Sequence, residues 1–83
     1  MLIRYLLVIE KSYEYYYPEE TVELVETEDD VKKAVAWIAA DSQINRRIKK
    51  TLKTIYKVDL VSGKMKRLEP ALENMKIVLK EVN

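Results

Sequence analysis

The chain has no cysteine, no histidine and no phenylalanine, and its 83 residues include only one glycine and two prolines. Without cysteine there is no disulfide, and without cysteine or histidine the usual structural zinc sites are excluded too. The same absences remove Ser-His, Cys-His and Cys-x-x-C chemistry, leaving carboxylates, lysines, tyrosines and three serines as the reactive groups. A hydrophobic share of 48% with so little glycine and proline argues against disorder. At 9.8 kDa the expectation is one domain over residues 1–83, with a thin core and no covalent staple. Residues 2–9 are apolar apart from Arg4, but a membrane span needs about 20 residues, and no small-residue cleavage site follows. The expectation is a soluble, cytoplasmic protein with no membrane partner.

The formal net charge of +1 conceals a sorting along the chain. Residues 1–42 carry four basic and ten acidic side chains, net −6, and residues 43–83 carry eleven basic and four acidic ones, net +7. The densest acidic stretch, 10–30, has nine carboxylates and one lysine. The densest basic stretch, 46–67, has nine cations and one acid, Asp59. Asymmetry of this kind suggests an interaction surface, unless the two halves fold together and neutralise.

Hydrophobic periodicity predicts the elements. Residues 2–9 read as a central strand, apolar with β-branched content. After a polar gap at Glu10, Lys11 and Ser12, alternation resumes over 13–17, with Tyr13, Tyr15 and Tyr17 on one face. Pro18 ends that segment, and 21–26 alternates again, so two or three antiparallel strands fit. Thr27 is placed to cap a helix whose first turn holds Glu28, Asp29 and Asp30. Val31, Ala34, Val35, Ile38 and Ala39 then form an apolar stripe with Trp37 beside it. Trp37, Val35, Ile38, Leu6 and Val8 are expected in the core.

Ile44, Ile48, Leu52 and Ile55 keep helical spacing but are rotated from that stripe, which fits a second helix capped by Ser42 or one bent helix. Near Lys53 the period changes to alternation, and Gly63 centres a turn closing a hairpin of 55–60 with 64–68. Beyond Pro70, the spacing of Ala71, Leu72, Met75, Val78, Leu79 and Val82 favours a helix with proline near its first turn, while 76–82 also fits a last strand. The fold class expected is α+β: a small antiparallel sheet, two or three N-terminal strands plus a later hairpin, packed against one or two helices.

No motif names a reaction, and the expectation is a non-enzymatic protein with no catalytic residue, metal or cofactor. The acidic groups match no calcium loop, and the sequence Ser62-Gly63-Lys64 lacks the glycine-rich cradle of a phosphate loop. Tyr13, Tyr15, Tyr16 and Tyr17 with Glu19, Glu20 and Glu23 form the candidate partner-binding segment, because tyrosine combines contact area, a polar tip and low ordering cost. A candidate basic patch comprises Arg46, Arg47, Lys49, Lys50, Lys53 and Lys57. It would serve the alternative, a small nucleic-acid-binding regulatory protein. In general build, compact, cysteine-free and with eleven lysines to four arginines, the chain resembles small proteins of phages and mobile elements. Many of those block a host enzyme or defence complex, the anti-CRISPR inhibitors among them. That resemblance implies a protein partner, with the acidic strip imitating a nucleic-acid backbone. A structural subunit, pairing head to tail or as a closed homodimer, is the third expectation.

Overall fold

A computed structural model describes residues 2–14, 16–44 and 48–82. Five strands and one helix follow in the order β1 (Ile3–Tyr13), β2 (Glu19–Val25), α1 (Glu28–Ile44), β3 (Ile48–Asp59), β4 (Met65–Glu73) and β5 (Lys76–Val82). The strands form one antiparallel sheet in the order β2-β1-β3-β4-β5. The fold is therefore α+β, with five strands. No helix among the described residues is long and apolar enough to cross a membrane.

The helix starts where its chemistry dictates. The Asp30 N–H donates to Thr27 Oγ1 (3.1 Å) and the Thr27 N–H donates to Asp30 Oδ2 (3.2 Å), a reciprocal cap that satisfies two backbone donors. Val31, Ala34, Val35 and Ile38 then face the sheet. They pack on Tyr5, Leu7 and Ile9 of β1, Ile55 of β3 and Leu68 of β4, with Leu7, Val31 and Ile55 fully buried.

Trp37 is not part of this core. It is 74% exposed, because it sits on the flank of α1 and the sheet covers only the stripe beside it. Leu6 and Val8 are half-buried and point away from the helix, since strand alternation puts them opposite Tyr5, Leu7 and Ile9. Val35 and Ile38 are half-buried within the helix-sheet contact.

Residues 48–55, expected in a second helix or in the continuation of one bent helix, are in strand β3, and Ser42 lies inside α1. The helical spacing has a structural cause. Opposite Val8 and Ile9 of β1 stand Thr54 and Leu52, so Lys53 is an extra residue, a β-bulge. The bulge shifts the side-chain phase by one. Ile48 and Leu52 before it and Ile55 after it therefore share a face at spacings of four and three, which imitates a helix.

The stretch after Pro70 is also strand, not helix. Pro70 lies within β4, two residues beyond the last β3–β4 pair, Ile55 opposite Leu68, so its missing N–H interrupts no inner ladder. The expected hairpin between β3 and β4 forms. Gly63 adopts φ +76°, its N–H donates to the Asp59 carbonyl (2.8 Å), and the Asp59 N–H donates to the Lys64 carbonyl (2.9 Å). The β4–β5 turn consists of Asn74 (φ 49°) and Met75 (φ 63°), both left-handed. Asparagine adopts that region readily, and methionine only at a cost in backbone strain.

Core packing ranks two substitutions in opposite order to their size. Leu7→Ala is expected to lower unfolding free energy by about 2–5 kcal/mol, and Trp37→Ala to change it by no more than about 0.5 kcal/mol. Urea titrations of both variants check the ranking. At the β4–β5 turn, Met75→Gly replaces a side chain that is 95% exposed and relieves its backbone, so a gain of about 0.5–1 kcal/mol is expected in the same assay.

Candidate functional site

The strand order converts the charge sorting of the sequence into a spatial one. The edge strand β2, the segment before it and the start of α1 carry Glu14, Glu19, Glu20, Glu23, Glu26, Glu28, Asp29 and Asp30, with no cation among them. The lysines of the second half lie on β3, β4, β5 and, for Lys64, the β3–β4 turn, on the other side of β1. β2 pairs only with β1, so the outer backbone groups of residues 19–25 face away from the sheet.

The tyrosine segment is mostly a connection, not a strand. β1 continues to Tyr13, and residues 14–18 link it to β2 because Pro18 cannot extend the ladder. The half-buried Tyr13 hydroxyl donates to Glu19 Oε2 (3.3 Å), and its ring meets Tyr16 edge-on at 6.5 Å. Partial burial, and then the nearby Glu19 carboxylate, push the Tyr13 hydroxyl above its ordinary pKa. Tyr16 is exposed, and Tyr17 is 94% exposed. With Glu14 and Pro18 they line an open surface depression of about 410 Å³. Tyr15 lies outside the described residues. Glu19 and Glu23 fall on the helix-side face of β2 and Glu20 on the other, so carboxylates flank the edge on both sides.

The basic candidates among the described residues are divided between the two faces of the sheet. Arg46 and Arg47 lie outside the described residues. Strand alternation sends Lys49 to the face away from the helix and Lys50 and Lys57 to the helix side. Lys50 pairs with Asp41 of α1 (3.3 Å) and Lys53 with Glu10 of β1 (2.7 Å), so part of the charge of the two halves is neutralised internally. The hydrogen bond from Lys53 holds the Glu10 carboxyl below its ordinary pKa, and the same contact, helped by Glu20, raises the Lys53 ammonium. Lys57 stands opposite Lys66 on the neighbouring strand, with Lys64, Ser62 and Asp59 around a depression of about 390 Å³. Asp59 is held below its ordinary pKa chiefly by the Val61 N–H, which donates to Oδ1 at 3.0 Å. No group of three or more carboxylates among the described residues is arranged to hold a metal ion.

Two surfaces were not anticipated from the sequence. Ala36, Trp37, Ala40 and Asp41 line an apolar depression of about 280 Å³ on the outer flank of α1. The second is the sheet face away from the helix. Leu24, Leu6, Tyr56 and Val82 stand on one row across it, with Arg67 between the last two, and Val22 with Val8 and Val58 with Met65 flank that row. Leu24 is 58% exposed and Met65 52%. The available signal was the run 2–9, apolar on both faces, a pattern typical of strands covered on both sides. No protein-family model, curated protein or solved structure matches the chain.

These ionisable contacts set the pH response. Asp59 and Glu10 have lowered folded-state pKa values, so their contribution to stability is present above the ordinary values of 3.8 and 4.5. It is lost as pH falls through the lowered values. Tyr5, shifted up mainly by burial, Tyr13 and Lys53 have raised values, so their contribution is present below about pH 10 and lost as pH rises beyond it. With no histidine to titrate between, the thermal midpoint should stay level from about pH 5 to 9 and fall on both sides. In Asp59→Asn the acid-side fall should be shallower, as measured by thermal unfolding against pH.

Proposed function

We propose that the chain is a non-enzymatic protein-binding module that docks its acidic edge, residues 14–23, against a basic surface of a partner protein. The observation that carries this reading is the placement of exposed Tyr16 and Tyr17 beside an edge strand with a free outer backbone and carboxylates on both faces. Rigid aromatics supply contact area at low ordering cost, an open strand edge offers backbone hydrogen bonds, and the carboxylates steer a cationic partner. The same carboxylates oppose pairing of two β2 edges, so the edge is selective for a partner of opposite charge. The build shared with small phage and mobile-element inhibitors makes a host enzyme or defence complex the partner class, and the cytoplasm the compartment. Nucleic acid is less favoured as the partner, because Lys50 and Lys53 are engaged with Asp41 and Glu10 and the cations of β3 are divided between two faces.

A benzophenone side chain at position 17, photo-crosslinked in cells of the native host, identifies the protein at this edge. Titrations with that protein should show Tyr17→Ala weakened roughly 30-fold or more, with an unchanged thermal midpoint. Glu19→Lys combined with Glu20→Lys should mainly slow association, more at low salt than at high. Wild-type affinity in Tyr17→Ala would remove the edge as the binding site. Nanomolar, salt-sensitive binding of DNA or RNA in anisotropy measurements would favour the nucleic-acid alternative.

A further inference from the structure

The protein is flatter and more open than its mass requires. Its accessible surface is 6601 Å², against about 5,200 Å² for a folded monomer of this size. Its extents are 42 × 32 × 22 Å and its radius of gyration is 13.7 Å, against about 12 Å for a compact chain. The cause lies in the layering, because one helix covers one face of a five-stranded sheet and no element among the described residues covers the other. That face is apolar along its centre, with Leu24 and Met65 exposed, Leu6, Val8 and Tyr56 half-buried and Val58 buried among its neighbours.

We propose that a second copy of this chain covers that face, forming a two-fold sheet-on-sheet dimer with the helices outside. Area and charge both select this occupant. Five strands about 4.8 Å apart, over seven residues of about 3.4 Å rise, make a face on the order of 600 Å² before side-chain relief is counted. One partner of a standard interface contributes about 800 Å². Three ion pairs lie on this face, Lys53 with Glu10, Arg67 with Glu69 (3.1 Å) and Lys80 with Glu73, and Arg4, Lys49, Lys76 and Glu20 share it. With Arg4, Lys49, Lys53, Arg67, Lys76 and Lys80 against Glu10, Glu20, Glu69 and Glu73, the face carries both signs and does not call for a partner of one strong charge. A net charge of +1 opposes self-association only weakly. Facing sheets whose strands lie within about 30° of each other would bring the apolar rows of the two copies together about a two-fold axis. The acidic β2 edges and their tyrosines remain outside this contact, so the dimer carries two copies of the edge proposed above and does not depend on it.

Sedimentation equilibrium from about 1 to 100 μM should give twice the 9.8 kDa chain mass. Leu24→Glu and Met65→Glu should each weaken dimerisation roughly 30-fold or more with the far-UV circular dichroism unchanged, and Trp37→Glu and Tyr17→Ala should leave it intact. Spin labels provide a test that needs no disruptive variant, because the native chain has no cysteine to interfere. A label on Thr54→Cys, at the centre of the face, should lie about 10–25 Å from its mate, and one on Ala36→Cys, outside the helix, about 30 Å or more. A monomer at 100 μM overturns the proposal. So does mass that keeps growing past the dimer, which would mean β2 and β5 edges joining head to tail. A dimer with the position-36 labels closer than the position-54 labels overturns it too. If the chain alone is monomeric and Leu24→Glu instead abolishes binding to the crosslinked partner, the face belongs to that partner. The dimer is then excluded, while the tyrosine edge is judged on its own titration.

Discussion

Everything else in the molecule follows from a shortage of cover: five strands share a single helix. A sheet has two faces, and an apolar strand at its middle needs both shielded from water. β1 is such a strand, with Tyr5, Leu7 and Ile9 on one side and Leu6 and Val8 on the other. α1 satisfies the first set. The fully buried side chains Leu7, Val31 and Ile55 accordingly lie where the helix crosses β1 and β3, and burial thins outward from that crossing. The open face, the exposed tryptophan and the large accessible surface are consequences of the same geometry.

Charge placement follows from the strand order. Because β1 pairs with β2 on one side and β3 on the other, the acidic first half and the basic second half of the chain meet along a line through the sheet. Along that line some charges cancel, as at Lys53 with Glu10. Away from it the acidic charge persists at the β2 edge, while on β4 and β5 Lys66, Arg67 and Lys80 pair with Glu81, Glu69 and Glu73. The bulge at Lys53 brings these effects together. It shifts the phase of β3 so that Ile48, Leu52 and Ile55 share the helix-side face, and its extra residue carries the cation that reaches Glu10.

Much of this was legible in the residues, and the rest was hidden for specific physical reasons. Thr27 and the acids after it announced the start of α1, Gly63 announced the β3–β4 turn, and the run 2–9 announced a central strand. β3 was misread because a bulge makes strand spacing look helical, and periodicity alone cannot separate the two. β5 was misread because a proline can open a helix or sit in a strand where no inner partner needs its N–H, and because a left-handed methionine at a turn has no sequence signature. Trp37 illustrates a different limit. A large aromatic is ordinarily core, but a one-helix fold has too little sheet to cover the flank on which it sits. At the candidate site, the cluster of tyrosines and glutamates stood out. Local spacing could not say that β2 would be an edge strand, because that is decided by the long-range pairing of β1 with β3.

That long-range pairing also governs how the chain is born. Ile3 lies opposite Asp59, so β1 leaves the ribosome well before the strand that will flank it exists. At synthesis rates of about 5–20 residues per second, the gap between completing β1 and completing β3 lasts roughly 2–9 s. In that interval β1 has only β2 to pair with, and the helix that shelters Leu7 has not yet found β3. The β4–β5 hairpin, by contrast, is closed by a two-residue turn and can form as soon as it is made. The most water-averse strand is thus made before its second neighbour, and the most local pairing comes after it, so the nascent chain passes through a sticky half-sheet before the fold can close.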